Sequence, residues 1–172
     1  MGVLPNILLG FLGGQLFTRA VYDHVWWPHI GADLSTLKSK VSALQRQEAV
    51  TFYRNVANQP TNLLYVTIGI SVLILISTFG QTLVNKAQRI LNLLSFLSFA
   101  TAVAAYVLKV HPIIQSLAGS VRQKADVEAK MLWEVAVWQA AVGVLVVTCL
   151  LMQASVGEEE LQVARSERAK KD

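Results

Sequence analysis

The chain has 172 residues, of which 53% are hydrophobic and 15% charged, with a net charge of +4 and a mean hydropathy of +0.46. A typical soluble globular domain carries about 25% charged residues, so the composition argues against one. With no basic cluster interleaved with aromatics, it also argues against a nucleic-acid binder. A single cysteine, Cys149, excludes an intramolecular disulfide, and in its apolar run it reads as a small hydrophobe.

The first apolar stretch, VLPNILLGFLGGQLFT, begins at Val3. No basic residue precedes it and TRAVYD is a poor cleavage site, so it reads as an uncleaved span over 3–21 rather than a signal peptide. Arg19 snorkels outward at its end. Gly10 and Gly14 share a G-x-x-x-G spacing that flattens one helix face and lets another helix approach. The next segment, YDHVWWPHIGAD, carries Tyr22, Trp26 and Trp27, which suit an aromatic belt at the headgroup level. Its Asp23, His24, His29 and Asp33 lack metal-ligand spacing, so they read as a solvated interfacial loop and no metal is expected.

From 34 to 58 the apolar positions Leu34, Leu37, Val41, Leu44, Phe52, Tyr53 and Val56 follow helical steps. Asp33 is the expected N-cap. The helix is amphipathic and too polar to cross a bilayer, so it is expected on the membrane surface or over the bundle. Pro60 ends it.

An apolar hairpin follows. Leu63–Val84 and Ile90–Leu108 contain no charged residue, and each approaches the ~20 residues that cross a ~30 Å hydrocarbon layer. The turn NKAQR joins a second span over 62–84 to a third over 90–108. Thr67 and Ser71 lie one helical turn apart on the second. Asn92, Ser95, Ser98, Ala102 and Ala105 recur at steps of three and four on the third. Small and weakly polar stripes of this kind are what helices in lipid use for contact.

His111-Pro112 is expected to stop the third span. Arg122, Lys124, Asp126, Glu128 and Lys130 form a solvated lead-in helix to a fourth span over 132–153. Glu134, the acidic residue nearest that span's start, is expected to reach the interface rather than act within the membrane. Residues 157–172 form a polar tail after a membrane domain over 1–156. The expected fold is therefore an all-α membrane protein with four transmembrane helices and an amphipathic helix in the first loop. Lys86, Arg89 and four basic residues of the tail oppose nine on the long-loop side. The larger count and the shorter segments point to opposite orientations, so charge leaves orientation open.

No nucleophile with a nearby base, no phosphate-binding loop, no paired intramembrane carboxylates and no metal spacing occur. The expectation is a non-enzymatic protein without a cofactor that acts by contact with other membrane helices. GQLFTRAVYD at Gly14–Asp23, Trp26-Trp27, FYRNVANQP at Phe52–Pro60, YVLKVHP at Tyr106–Pro112 and LLMQAS at Leu150–Ser155 occur in order along four spans. In these the chain resembles the fungal ER-membrane packaging chaperones for amino-acid permeases. The resemblance implies an endoplasmic-reticulum membrane protein that shields polytopic permeases and hands them to vesicle-coat components through its tail. The small-residue spacings make Gly10, Gly14, Thr67, Ser71, Ser98 and Ala102 helix-contact candidates, and the resemblance makes Tyr22, Asp23, Phe52, Tyr53 and Pro60 a family-like loop signature. A non-catalytic accessory subunit of a multi-subunit membrane complex, in the mitochondrial inner membrane, is the alternative.

Overall fold

The structure, a computed structural model, describes residues 3–31, 36–119 and 124–169. Helices dominate, and no strand occurs among the described residues. Helix α1 (Val3–Asp23) opens with Pro5 in its first turn, where a missing N–H removes no intrahelical bond. A 3-10 turn at Trp27–His29 and Gly31, whose φ of 87° lies in the left-handed region, redirect the chain.

The expected helix over 34–58 is divided. Asp33 and Leu34 lie outside the described residues, and a short α2 (Leu37–Lys40) gives way to α3 (Ala43–Ala57). The break is chemical. Ser42 takes extended backbone and forms a capping box, its Oγ accepting from the Gln45 N–H at 3.2 Å while Gln45 Oε1 accepts from the Ser42 N–H at 3.3 Å. The buried face of α3 is Ala49, Val50 and Tyr53, whereas Leu44 points outward.

Pro60 leads directly into α4 (Thr61–Val84). The third span runs further than expected. Helix α5 (Arg89–Ala105) continues through a π-helical turn at Tyr106–Val110 into α6 (His111–Ala118). Pro112 would clash with the carbonyl four residues back in a regular helix. The wider turn, in which the His111 N–H donates to the Tyr106 carbonyl, absorbs that proline and lets the rod carry on. Beyond 120–123 (Arg122 lies outside the described residues), the lead-in helix, the fourth span and most of the tail form one helix. This is α7 (Ala125–Ala169), 45 residues long and about 68 Å at ~1.5 Å per residue.

Three helices are long and apolar enough to cross a membrane: α4, the α5–α6 rod, and Ala125–Val156 of α7, with mean hydropathies of 2.2, 1.9 and 2.3. The described residues thus form an all-helical fold with three helices fit by length and composition to cross a membrane. Helix α1 packs along α7 beside them. Two cores stack end to end. Leu9, Leu12, Ile74, Phe99, Ala102, Val142, Val146 and Cys149 fill the bundle. At the long-loop end, Trp26, Leu37, Val50, Tyr53, Ile114 and Leu132 lead a second cluster that joins α2, α3, α6 and the start of α7. Trp26, expected in an aromatic belt, is 1% exposed within that cluster.

Removing the α3 cap tests this construction. Ser42→Ala should weaken α3 by about 1 kcal/mol, lowering the protection of its backbone amides against hydrogen exchange about fivefold while α7 is unchanged.

Candidate functional site

The loop signature is assembled from two distant segments. Tyr22 and Asp23 end α1, and Phe52 and Tyr53 lie on α3. The Tyr22 and Phe52 rings stack with centroids 4.0 Å apart at 15°. The Tyr53 hydroxyl donates to Asp23 Oδ1 at 2.5 Å. Because both pairs are adjacent in sequence, one step along α1 matches one step along α3, and the two helices are clasped in a single register. Tyr53 is fully buried and Asp23 is 1% exposed. Arg19, one turn before Asp23, donates to the Tyr106 hydroxyl at 2.7 Å and sits 5.1 Å from that ring's centre. The clasp therefore reaches the π-helical turn of the third span. Arg54 adds a bond from Nε to the Leu117 carbonyl at 3.2 Å, and the Trp133 indole donates to the His29 carbonyl at 3.2 Å.

Burial pushes the Asp23 carboxyl from 3.8 up to about 7. The Tyr53 hydrogen bond and the charges of Arg19 and His24 pull it back only in part. Burial, with the Asp23 charge second, pushes the Tyr53 hydroxyl up as well. Asp23 Oδ2 and the Trp26 indole nitrogen have no hydrogen-bond partner among the described residues, and the same holds for both amide atoms of Gln139. Next to the clasp, a cavity of about 130 Å³ lies between the α3–α4 corner (Val56, Gln59, Thr61, Leu64) and Tyr106, His111 and Ile114. Pro60 forms the corner itself.

The helix-contact candidates separate into two groups. Ala102 is buried in the bundle core, and the Ser98 hydroxyl donates to the Leu145 carbonyl of α7 at 3.0 Å. Both are engaged within the chain. Gly10 and Gly14 are exposed, and a Cβ at either would meet nothing within 4 Å. Thr67 and Ser71 are half-buried, and each hydroxyl donates to a carbonyl of its own helix, at 3.1 and 2.9 Å. The buried residues of α4 are Ile74, Thr78 and Thr82, further along the same stripe. Only 11% of the most apolar stretch of α4 is buried, so this helix touches the bundle near its end and leaves its first half exposed.

The sequence expectations did not single out a second polar group, between α5 and α7 at the other end of the bundle. Ser95 Oγ lies 3.1 Å from Cys149 Sγ. The Gln153 amide nitrogen donates to Ser95 Oγ at 3.0 Å and to Asn92 Oδ1 at 3.4 Å. The periodic stripe of Asn92 and Ser95 was visible in the sequence, but nothing local marks Gln153 as its partner. Glu134 pairs with Lys130 at 4.0 Å on a largely solvent-facing side of α7. No group of three or more potential metal ligands occurs among the described residues. Compared with protein-family models, curated proteins and solved structures, the chain has no match in any of the three.

The clasp has a signed pH dependence. Folding raises the Asp23 pKa, so between about pH 4 and pH 7 the folded chain holds a proton that the unfolded chain has released. Stability is greatest below about pH 4 and falls as pH rises to about 7. The full penalty above that is on the order of 4 kcal/mol, from about 1.4 kcal/mol per pKa unit. Asp23→Asn keeps an acceptor for Tyr53 and should abolish this slope, leaving the variant more stable than wild type at pH 8. Denaturation in detergent at several pH values checks it. A slope that survives the substitution would assign the titration to another group.

Proposed function

We propose that this is a non-enzymatic membrane protein in which residues 3–21 of α1 form a fourth span, with Asp23 beyond its end, and that it acts by lateral contact with the helices of larger membrane proteins. The observation that carries this reading is the division among its small-residue positions. Ser98 and Ala102 hold the bundle together, whereas Gly10 and Gly14 lie on an exposed face and Thr67 and Ser71 carry the Ile74–Thr78–Thr82 stripe of α4 beyond its buried part. Small residues on an outward face let a foreign helix approach closely, and van der Waals contact then replaces lipid contact. Such contacts are weak and tolerant of sequence, as transient shielding of a folding client requires.

The resemblance to packaging chaperones names the clients as amino-acid permeases, the compartment as the endoplasmic-reticulum membrane, and the tail as the contact to vesicle coats. Helix α7 supports the last point by carrying the tail's backbone on to Ala169 as a continuous rod. The clasp of α1 to α3 would hold the first loop against the bundle at the membrane surface, away from the client face.

The test is a pair of variants and a tagged wild-type chain. Gly10→Ile with Gly14→Ile places bulk where the chain has open space, so the protein should fold and keep its thermal stability. Recovery of permeases with it in mild detergent should nevertheless fall by about tenfold, the loss of about 1.4 kcal/mol of contact. Undiminished recovery would remove this face from the site. Stable, stoichiometric recovery of the wild-type chain within one complex, with the tag in mitochondria, would establish the accessory-subunit reading instead.

A further inference from the structure

The polar group between α5 and α7 is one side of a larger arrangement. Helices α5 and α7 run antiparallel, with Ser95 beside Cys149 and Ser98 beside Leu145. Phe79 of α4 meets Phe96 of α5 with ring centroids 5.4 Å apart, which brings Gln81 to the height of residue 94. Helices α1 and α5 rise in parallel with Arg19 at Tyr106, which brings Asn6 to the height of residue 93. Asn6, Gln81, Asn92 and Gln153, one amide side chain from each of four helices, therefore lie at one level of the bundle.

Their hydrogen-bonding capacity is not used up. Asn6 Oδ1, Gln81 Oε1 and Nε2, Asn92 Nδ2 and Gln153 Oε1 are all buried and have no partner among the described residues. Asn92 and Gln153 are completely shielded as whole residues. Exchanging the ends of the Gln81 amide would leave the balance unchanged, since neither of its ends is engaged. A buried polar atom left without a partner is costly, and bilayer hydrocarbon offers no replacement. Five such atoms at one level would oppose assembly of the bundle.

We propose that this level is a hydrated binding site for water and comparably small, uncharged molecules that both donate and accept hydrogen bonds. The chemistry of the lining selects that class. Donor and acceptor atoms are both present, so a molecule able only to accept or only to donate would leave part of the set unmatched. The four side chains are neutral amides, joined by the Ser95 hydroxyl and the Cys149 thiol, so nothing in the set compensates an ion. An apolar molecule would satisfy none of the five atoms. One water makes 2–4 hydrogen bonds, so about two or three would serve them all.

The proposed entrance is at the 85–88 turn. Thr78, Thr82 and Asn85 on α4 and its end, and Gln88, Asn92 and Ser95 on α5 and its start, form polar lines at steps of three and four. Both lead from the 85–88 turn to the amide level. In the opposite direction Leu9, Leu12, Ile74, Phe99, Ala102, Val142 and Val146 close the bundle with apolar side chains. Water enters from the turn side and stops there. The geometry is that of a vestibule, not of a pathway across the membrane.

Cys149 is the chain's single cysteine and touches Ser95 within the level, so its S–H stretching band is a native probe. The full-length protein, reconstituted in vesicles, is transferred to heavy water and followed by infrared spectroscopy. The S–H band should convert to S–D while the amide protons of α7 stay protected. Gln81→Leu and Asn6→Leu leave the bonds among Gln153, Ser95 and Asn92 intact and should slow that conversion at least about tenfold relative to local opening of the same helix. Two results would overturn the proposal. One is thiol exchange that occurs only together with the α7 amides, which marks a dry level opened by unfolding. The other is rapid thiol exchange that both leucine variants leave unchanged.

Discussion

The seam between α5 and α7 carries polar contacts that apolar packing alone would not specify. Ser98 reaches the Leu145 carbonyl, Ser95 meets Cys149, and Gln153 bonds Ser95 and Asn92. In lipid, apolar side chains gain little by leaving hydrocarbon for a helix surface that is equally apolar. Register between spans therefore depends on directional bonds and close fit. Sliding α7 by one turn along α5 would break these bonds together and leave their buried groups unmatched, so the seam determines where α7 stands. The other elements follow, because α7 lines the bundle core at one end and the loop cluster at the other.

The clasp at the long-loop end works on different terms. There Trp26, Leu37, Val50, Tyr53 and Leu132 form a core of the kind built in water, and a buried carboxyl is an expensive member of it. Asp23 is tolerated because Tyr53 donates to it and Arg19 stands one turn away. The same Arg19 reaches Tyr106 in the π-helical turn. The end of α1, the π-helical turn after α5 and the loop helix α3 thus form one unit, so the proton on Asp23 influences more than its own pair. The turn that admits Pro112 also provides the tyrosine that ties the unit to the bundle.

Much of the local structure was legible. Pro60 marks the corner before α4 and runs without charge mark the spans, whereas the Ser42–Gln45 capping box that divides the expected 34–58 helix was not anticipated. Where the sequence expectation failed, a longer-range effect prevailed. His111-Pro112 reads as a stop because proline breaks a regular helix, yet the π-helical turn bypasses it. Trp26 reads as a belt residue by composition, yet the loop folds back and buries it. Thr67 and Ser71 share a stripe with Ile74, Thr78 and Thr82, and spacing alone does not tell which part of it is buried. Of the candidate residues, Tyr22, Asp23, Phe52 and Tyr53 come together as a pair of pairs, although nothing in either segment alone names its partner some thirty positions away.

The sequence by itself determined that the chain belongs in a membrane and where most of its helices lie, because hydropathy, capping and charge act over one or two turns. Only the tertiary structure decided which side of each helix faces inward, that α7 is the central element, and that Gln153 meets Asn92 and Ser95. Lipid is the reason. A leucine facing acyl chains and a leucine facing another helix have the same preference, so apolarity cannot distinguish the two surfaces. The distinction rests on a few hydrogen bonds between residues far apart in the chain, and these exist only once the helices are side by side.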